Sequence, residues 1–210
     1  MEKVDTLVID KTGTLTEGRP SVTAIVPVSG YTEEQLLRLA ASVEQASEHP
    51  LAQAIVSAAK ARNIAIPPVS DFDSPAGRGA LGTAEGRRIV LGNARFLAEH
   101  GIATAAMDDA AAELRRSGAT AIFVGIDGAA AGTIAIADPI KPTTPQALED
   151  LRRAGIRVVM LTGDNRTSAE AVARQIGITE VEAEVLPDQK GETVARLKRE
   201  GRIIAMAGDG

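Results

Sequence analysis

Thr6-Leu7-Val8-Ile9-Asp10-Lys11-Thr12-Gly13-Thr14 is the stretch on which the fold of this chain turns. Thr6 to Ile9 is a short apolar run of the kind buried in a parallel sheet, and it carries the Asp10 carboxylate to its carboxyl end. In open parallel sheets ligands gather at that end of the strands. No helix follows the run closely, so its partners must come from further along the chain. After Asp138-Pro139 the pattern supplies them: helix 144–154, strand 157–161, helix 168–176, short strand 181–185, helix 190–200 and strand 203–207. Alternating strands and helices imply a parallel sheet covered by helices.

The stretch between reads differently. Thr32 and Gln35 form a capping box before an apolar helical face of Leu36, Leu37, Leu39, Ala40 and Val43. A second helix is expected at about 50–62 and an alanine-rich one at 108–116. Hairpins are expected at 80–92, turning at Glu85-Gly86, and at 119–137, turning at Asp127-Gly128. The middle is therefore an inserted antiparallel domain. The expected boundaries are 1–20 and 137–210 for the parallel-sheet domain and 21–136 for the insert, with crossings near Gly18-Arg19-Pro20 and Asp138-Pro139.

Totals bound the function. The 210 residues are 44% hydrophobic but only 2% aromatic, so Ala, Val, Ile and Leu must build the core. Few aromatics and a net charge of −5 argue against nucleic acid, which needs stacking platforms or a basic field. With no cysteine, disulfides, thiolate metal sites and cysteine nucleophiles are excluded. The nearest approach to a membrane span, 121–137, is interrupted by Asp127-Gly128, and the first residues lack a signal-peptide core, so the chain taken alone is expected to be soluble and cytosolic.

Three strands end in polar, glycine-bearing turns: Asp10-Lys11-Thr12-Gly13-Thr14, Thr162-Gly163-Asp164 and Gly208-Asp209-Gly210. Convergence would crowd Asp10, Asp164 and Asp209, and crowded carboxylates call for a cation. Oxygen donors without His or Cys suit Mg²⁺ and a phosphate partner. Lys190 could bring a compact positive charge to a phosphate oxygen, and Thr162 a hydroxyl. Each piece alone is an ordinary turn; the joint pattern is more specific.

Asp10-Lys11-Thr12-Gly13-Thr14-Leu15-Thr16 resembles, without a mismatch, the phosphorylation signature of P-type ATPases. Thr162-Gly163-Asp164 and Ala207-Gly208-Asp209-Gly210 resemble the family's later motifs in the right order, and Asp138-Pro139-Ile140-Lys141 its hinge segment. The resemblance covers essentially the whole chain. It implies a haloacid-dehalogenase-like α/β phosphorylation domain with a parallel sheet, split by an α+β antiparallel-sheet nucleotide-binding domain. It also implies ATP and Mg²⁺, with Asp10 as nucleophile and Asp10, the Thr12 carbonyl and Asp209 as metal ligands. Thr12, Thr162 and Lys190 would hold phosphoryl oxygens, and Asp164 would help position nucleotide and metal. Related phosphatases carry a second Asp two residues after the nucleophile, as general acid and base. Thr12 stands there instead, so an aspartyl phosphate should persist.

Ser47-Glu48-His49-Pro50-Leu51 resembles the nucleotide-domain signature of the heavy-metal (P1B-type) branch. The plain alternative is a helix-start histidine. Under the resemblance His49 meets adenine and Glu48 reads its edge, Gly77 and Gly79 let backbone approach phosphate or ribose, and Gly92-Asn93 is a further nucleotide-contacting pair. Gly77 to Gly82 also satisfies GxGxxG, but no convincing strand precedes it and a hairpin follows, so a dinucleotide fold is not indicated. No GxxxxGK[ST] loop occurs. The texture is most like copper(I)-exporting members; zinc, cadmium and lead exporters are the alternative, as are a nucleotide-binding fragment without turnover and a soluble phosphatase. The implied partners are ATP and the transmembrane and actuator domains of an intact pump at the cytoplasmic face of a membrane. The transported ion would bind elsewhere in that protein. The family motif runs on past Gly210 to an Asn and an Asp, so the chain alone is expected to be weakly active or inactive.

Overall fold

The computed structural model describes residues 4–75, 77–186 and 189–208. The chain divides into two compact units, Met1–Arg19 with Arg116–Gly118 and Asp138–Gly210, and Pro20–Arg115 with Ala119–Ala137.

The first unit is built on a four-stranded parallel sheet. β1 (Thr6–Asp10) lies between β10 (Ile204–Ala207) and β8 (Arg157–Leu161), with β9 (Glu180–Glu182) outside β8. The register sets Ile9 beside Ala207 and Asp10 beside Leu161. Continued by one residue, the register sets Gly208 beside Asp10, and Lys11 beside Thr162 one step further on. α5 (Thr144–Arg153) and α6 (Arg166–Ile176) close one face over Ile9, Met160, Leu148 and Val172. On the other face α7 (Lys190–Arg199) packs Leu197 and Val194 on Val8, Val159 and Leu161. With apolar side chains on both faces, β1 and β8 read as continuous hydrophobic runs.

Two elements differ from expectation here. α6 begins two residues early because Asn165 caps it, its side-chain oxygen accepting from Thr167 N–H at 3.0 Å. β9 stops at Glu182 rather than reaching Val185. Glu184 turns into the left-handed region (φ 60°), where its N–H donates to the Asp164 carbonyl.

The second unit is a six-stranded antiparallel sheet ordered β2-β7-β6-β5-β4-β3. β2 is Ser21–Pro27, β3 Ser70–Asp73, β4 Gly79–Ala84, β5 Arg87–Gly92, β6 Thr120–Ile126 and β7 Ala129–Ala137. α1 (Glu33–Glu44) and α2 (Pro50–Ala61) cover one face through Leu36, Leu37, Ala40, Val43 and Ile55. α3 (Ala94–Glu99) and α4 (Asp108–Arg116) cover the other, where Phe96, Leu97, Met107 and Phe123 meet. The Thr32–Gln35 capping box is present, and both expected hairpins turn on left-handed residues at Glu85-Gly86 and Asp127-Gly128. β2, β3 and α3 carried no clear signal: β2 has a bulge that breaks its alternation, and β3 offers one apolar residue, Phe72, in four. β3 does precede the GxGxxG run, contrary to expectation, but the run enters β4 rather than a helix. No helix among the described residues is long and apolar enough to cross a membrane.

Candidate phosphoryl-transfer and nucleotide sites

Asp10 ends β1 with only 7% of its surface exposed, and its Oδ2 accepts a hydrogen bond from Lys190 Nζ in an ion pair. Lys190 opens α7, so the helix that packs on Val8 also fixes where that ammonium lies. Beside them Lys11 Nζ pairs with Asp164 Oδ2 at 2.5 Å. Two lysines thus balance two carboxylates at the carboxyl edge of the sheet. Gly208 leaves β10 against Asp10: a β-carbon on it would stand 3.5 Å from Asp10 Cβ. Asp209 lies outside the described residues.

Thr162 is buried at the end of β8, its N–H bonded to the Glu182 carbonyl and its own carbonyl to Val185 N–H. Thr162 Oγ1 accepts from Asp164 N–H at 3.1 Å, which leaves the hydroxyl proton available for donation. Thr12 is exposed and extended (φ −72°, ψ 131°), and Gly13 turns left-handed (φ 74°), so the chain reverses tightly after Asp10. A side chain at Gly13 would be strained.

The oxygen set fits a hard cation. Among the described residues no three acids or histidines cluster as a ready-made metal cage. Asp10, the Thr12 carbonyl and Asp164 nevertheless offer oxygen only, the donor type of a Mg²⁺ shared with phosphate.

In the second unit, Glu48 and His49 are both exposed at the start of α2. The helix-start alternative is realised for His49: its Nδ1 accepts from Leu51 N–H at 3.2 Å. That bond makes Nδ1 an acceptor, so the neutral ring carries its proton on Nε2, which the cap does not use. Asn93 likewise caps α3, its side-chain oxygen accepting from Phe96 N–H at 2.9 Å. Gly79 and Gly92 face each other across β4 and β5 under the Phe96 ring. A β-carbon on Gly79 would meet the Leu91 carbonyl oxygen at 2.0 Å, and one on Gly92 the Arg78 carbonyl oxygen at 2.5 Å. Close packing within the protein thus already requires both glycines. Gly77 is left-handed (φ 71°), with nothing within 4 Å of its missing side chain.

One residue escaped the sequence reasoning. Glu44, the last residue of α1, is 8% exposed, and burial raises its carboxyl from the ordinary 4.5 to about 7. Ser47 N–H bonds back to its carbonyl, so it adjoins the Ser47–His49 segment. Periodicity could have found it: Leu37, Ala40 and Glu44 share one helix face, and a carboxylate on an apolar stripe is out of pattern.

Comparison with known proteins accords with both sheets. The haloacid dehalogenase-like hydrolase model matches residues 4–210. A silver exporting P-type ATPase of Salmonella typhimurium is 54% identical over 210 residues, all of this chain and 26% of that protein. A copper-exporting P-type ATPase of Legionella pneumophila is 48% identical over 210 residues, again all of this chain and 28% of that protein. The solved catalytic CPx-ATPase domain CopB-B superimposes with a TM-score of 0.73 at 30% identity, covering 100% of this chain and 72% of that one. A second structure of that catalytic domain concerns its conformational changes upon nucleotide binding. The chain belongs to the haloacid dehalogenase-like hydrolases and, within them, to the heavy-metal P-type ATPases. It spans about a quarter of the length of the curated relatives it matches.

Proposed function

We propose that this chain is the ATP-binding, phosphoryl-accepting headpiece of a heavy-metal pump and that Asp10 is the residue phosphorylated. The observation that carries this is the buried Asp10 carboxylate at the end of β1, charge-balanced by Lys190 on one oxygen. Its other oxygen, Oδ1, attacks the γ-phosphorus in line. An Asp10 oxygen–phosphorus bond forms, the bond from γ-phosphorus to the β–γ bridging oxygen breaks, and ADP leaves with that electron pair. Little covalent chemistry falls to the protein beyond the nucleophile, so positioning and charge stabilisation dominate. Lys190 follows charge from the carboxylate to the phosphoryl oxygens, Thr162 donates its hydroxyl proton to one of them, and Thr12 adds another contact. Lys11 holds Asp164 towards nucleotide and metal. Mg²⁺ would be held by Asp10, the Thr12 carbonyl and Asp209, and supplies neutralisation of phosphoryl charge. Thr12 cannot act as the acid–base group that would speed dephosphorylation, so the intermediate persists.

In the insert, His49 offers Nε2–H to an adenine acceptor and Glu48 reads the base edge. Glu44, which keeps its proton up to about pH 7, can donate as well as accept. Gly77 supplies the open backbone approach, with Gly79, Gly92 and Asn93 shaping the strand ends beside it. Copper(I) is the proposed cargo, supported by relatives named for copper and silver export. The cargo site, the transmembrane and actuator domains that would be partners, and the membrane at whose cytoplasmic face the headpiece would work belong to the rest of such a pump.

Incubating the chain with γ-labelled ATP and Mg²⁺ tests the core of this reading. Wild type should take up acid-stable, hydroxylamine-labile label, and Asp10→Asn should take up none. Label surviving in Asp10→Asn would reject Asp10 as the acceptor.

A further inference from the structure

The turn after Asp10 is irregular. From Lys11 to Leu15 it mixes an extended Thr12 with a left-handed Gly13, and it closes on the Lys11 carbonyl, which accepts from Thr16 N–H at 3.2 Å and lies 3.1 Å from Thr16 Oγ1, leaving its apex without a bond from within. The segment that follows the insert, 138–144, holds it from outside. Asp138 Oδ2 accepts from Thr16 Oγ1 at 2.5 Å and from Gly18 N–H at 3.1 Å, while Oδ1 accepts from Arg19 N–H at 2.9 Å. Glu17 N–H donates to the Pro139 carbonyl at 2.8 Å. The Leu15 carbonyl accepts from Lys141 N–H at 3.0 Å and from Thr144 Oγ1 at 2.8 Å. These bonds fix the end of the turn. Its apex is held by the half-buried Lys141, whose Nζ donates to the Gly13 carbonyl at 2.5 Å across 128 positions of sequence.

We propose that Lys141 is a positioning residue for phosphoryl transfer, orienting the Lys11–Leu15 turn through the Gly13 carbonyl. The proposal rests on Asp10 being the phosphoryl acceptor. A hydrogen bond with an ionised donor is about twice as strong as a neutral one, and this one acts where a glycine leaves the backbone softest. Fixing the Gly13 carbonyl fixes the plane of its peptide and, because that peptide is trans, sends Thr14 N–H the opposite way. It also limits the swing of the Thr12 carbonyl, one peptide earlier, and of Lys11, whose ammonium pairs with Asp164. Lys141 touches neither phosphate nor nucleotide in this account. Its effect reaches the reaction through the geometry of the residues next to Asp10, where an ångström of misplacement costs about 100-fold in rate.

Labelling from γ-labelled ATP and Mg²⁺ is to be followed in time for wild type, Lys141→Met, Lys141→Arg and Asp10→Asn, at a temperature where unfolding curves show every variant folded. In Lys141→Met the labelling rate at saturating ATP should fall about 10- to 100-fold, with the ATP concentration for half-maximal rate and the final extent of labelling unchanged. Lys141→Arg, which keeps a charged donor, should recover most of the rate. A wild-type rate in Lys141→Met overturns the proposal. So does a lower final extent at an unchanged rate, since that reports lost folded protein rather than lost alignment. If Lys141→Met does not fold, Lys141→Gln replaces it, and a rate equal to wild type in both Lys141→Gln and Lys141→Arg is the overturning result. Label retained in Asp10→Asn is a separate failure, that of the Asp10 assignment itself.

Discussion

Asp10 in the parallel-sheet unit and Glu44 in the antiparallel unit are buried to nearly the same depth, 7% and 8% exposed, and are the buried carboxylates among the described residues. Their surroundings differ in one respect. Asp10 has the Lys190 ammonium on Oδ2, whereas no cation among the described residues pairs with Glu44, and desolvation alone acts on it. An ion without a partner in a dry site gives up its charge instead. The same depth of burial therefore yields an acid balanced by a fixed counter-charge in one unit and an acid that holds its proton to about neutral pH in the other. The first arrangement suits a nucleophile that must meet an electrophile as an anion. The second suits a group that hydrogen-bonds in either direction.

The largest effect expected from breaking this contrast is at Glu44. Its folded carboxyl titrates near 7 and its unfolded one near 4.5. Between those values the folded chain binds a proton that the unfolded chain has released, so stability falls as pH rises through the window and levels off above it. At about 1.4 kcal/mol for each pH decade, this amounts to about 3 kcal/mol. Urea unfolding of wild type from pH 4 to 8 should trace that decline for the unit that contains Glu44. Glu44→Gln should be flat over the same range and the more stable of the two at pH 8. A decline of the same size in Glu44→Gln would show that another group is responsible.

The counterpart in the first unit is Lys190→Met, which leaves Asp10 buried without its cation. Removing one partner of a fully buried pair costs about 3–5 kcal/mol. The Lys190 side chain is 27% exposed, so solvent screening reduces the figure to about 2 kcal/mol. Adding Asp10→Asn to Lys190→Met should restore most of the loss, because a neutral amide needs no counter-charge. If the double variant is no more stable than Lys190→Met, the loss comes from the α7 terminus and not from the Asp10 charge.

The two units also differ in how far their sequences disclosed them. The first unit's sheet was legible because β1, β8 and β10 are apolar runs that end in glycine-bearing turns, and strand register then sets Asp10 beside Leu161 and Gly208, one residue short of Thr162. What could not be read was the pairing. That Lys11 would take Asp164, that Lys190 would take Asp10, and that Lys141 would reach Gly13 depend on contacts across 128 to 180 positions of chain, which no local pattern encodes. In the insert both hairpins were legible from their Glu-Gly and Asp-Gly turns. β3 was not, because a four-residue edge strand with three polar positions carries no alternation. Glu44 was passed over because it lies just before the Ser47–His49 motif and reads as an ordinary helix-end glutamate. The one sequence signal was its place on the apolar face with Leu37 and Ala40, and burial makes that signal plain.

His49 gives the smallest effect and the sharpest separation, since capping and nucleotide contact use different ring nitrogens. Nδ1 accepts from Leu51 N–H, and Nε2 is left for a ligand. Asn is among the strongest N-caps and reaches the same amide with its side-chain oxygen, but it has nothing in place of Nε2. His49→Asn should therefore melt with wild type while losing affinity for ATP, measured by calorimetric titration. His49→Ala should lose affinity equally and stability as well, by about 1 kcal/mol, the usual value of a removed cap. Two outcomes would recast the residue. Equal ATP affinity in His49→Asn and wild type would make His49 a helix cap and nothing more. Equal stability in all three proteins would make the Nδ1 contact incidental to folding and leave the ring to the nucleotide alone.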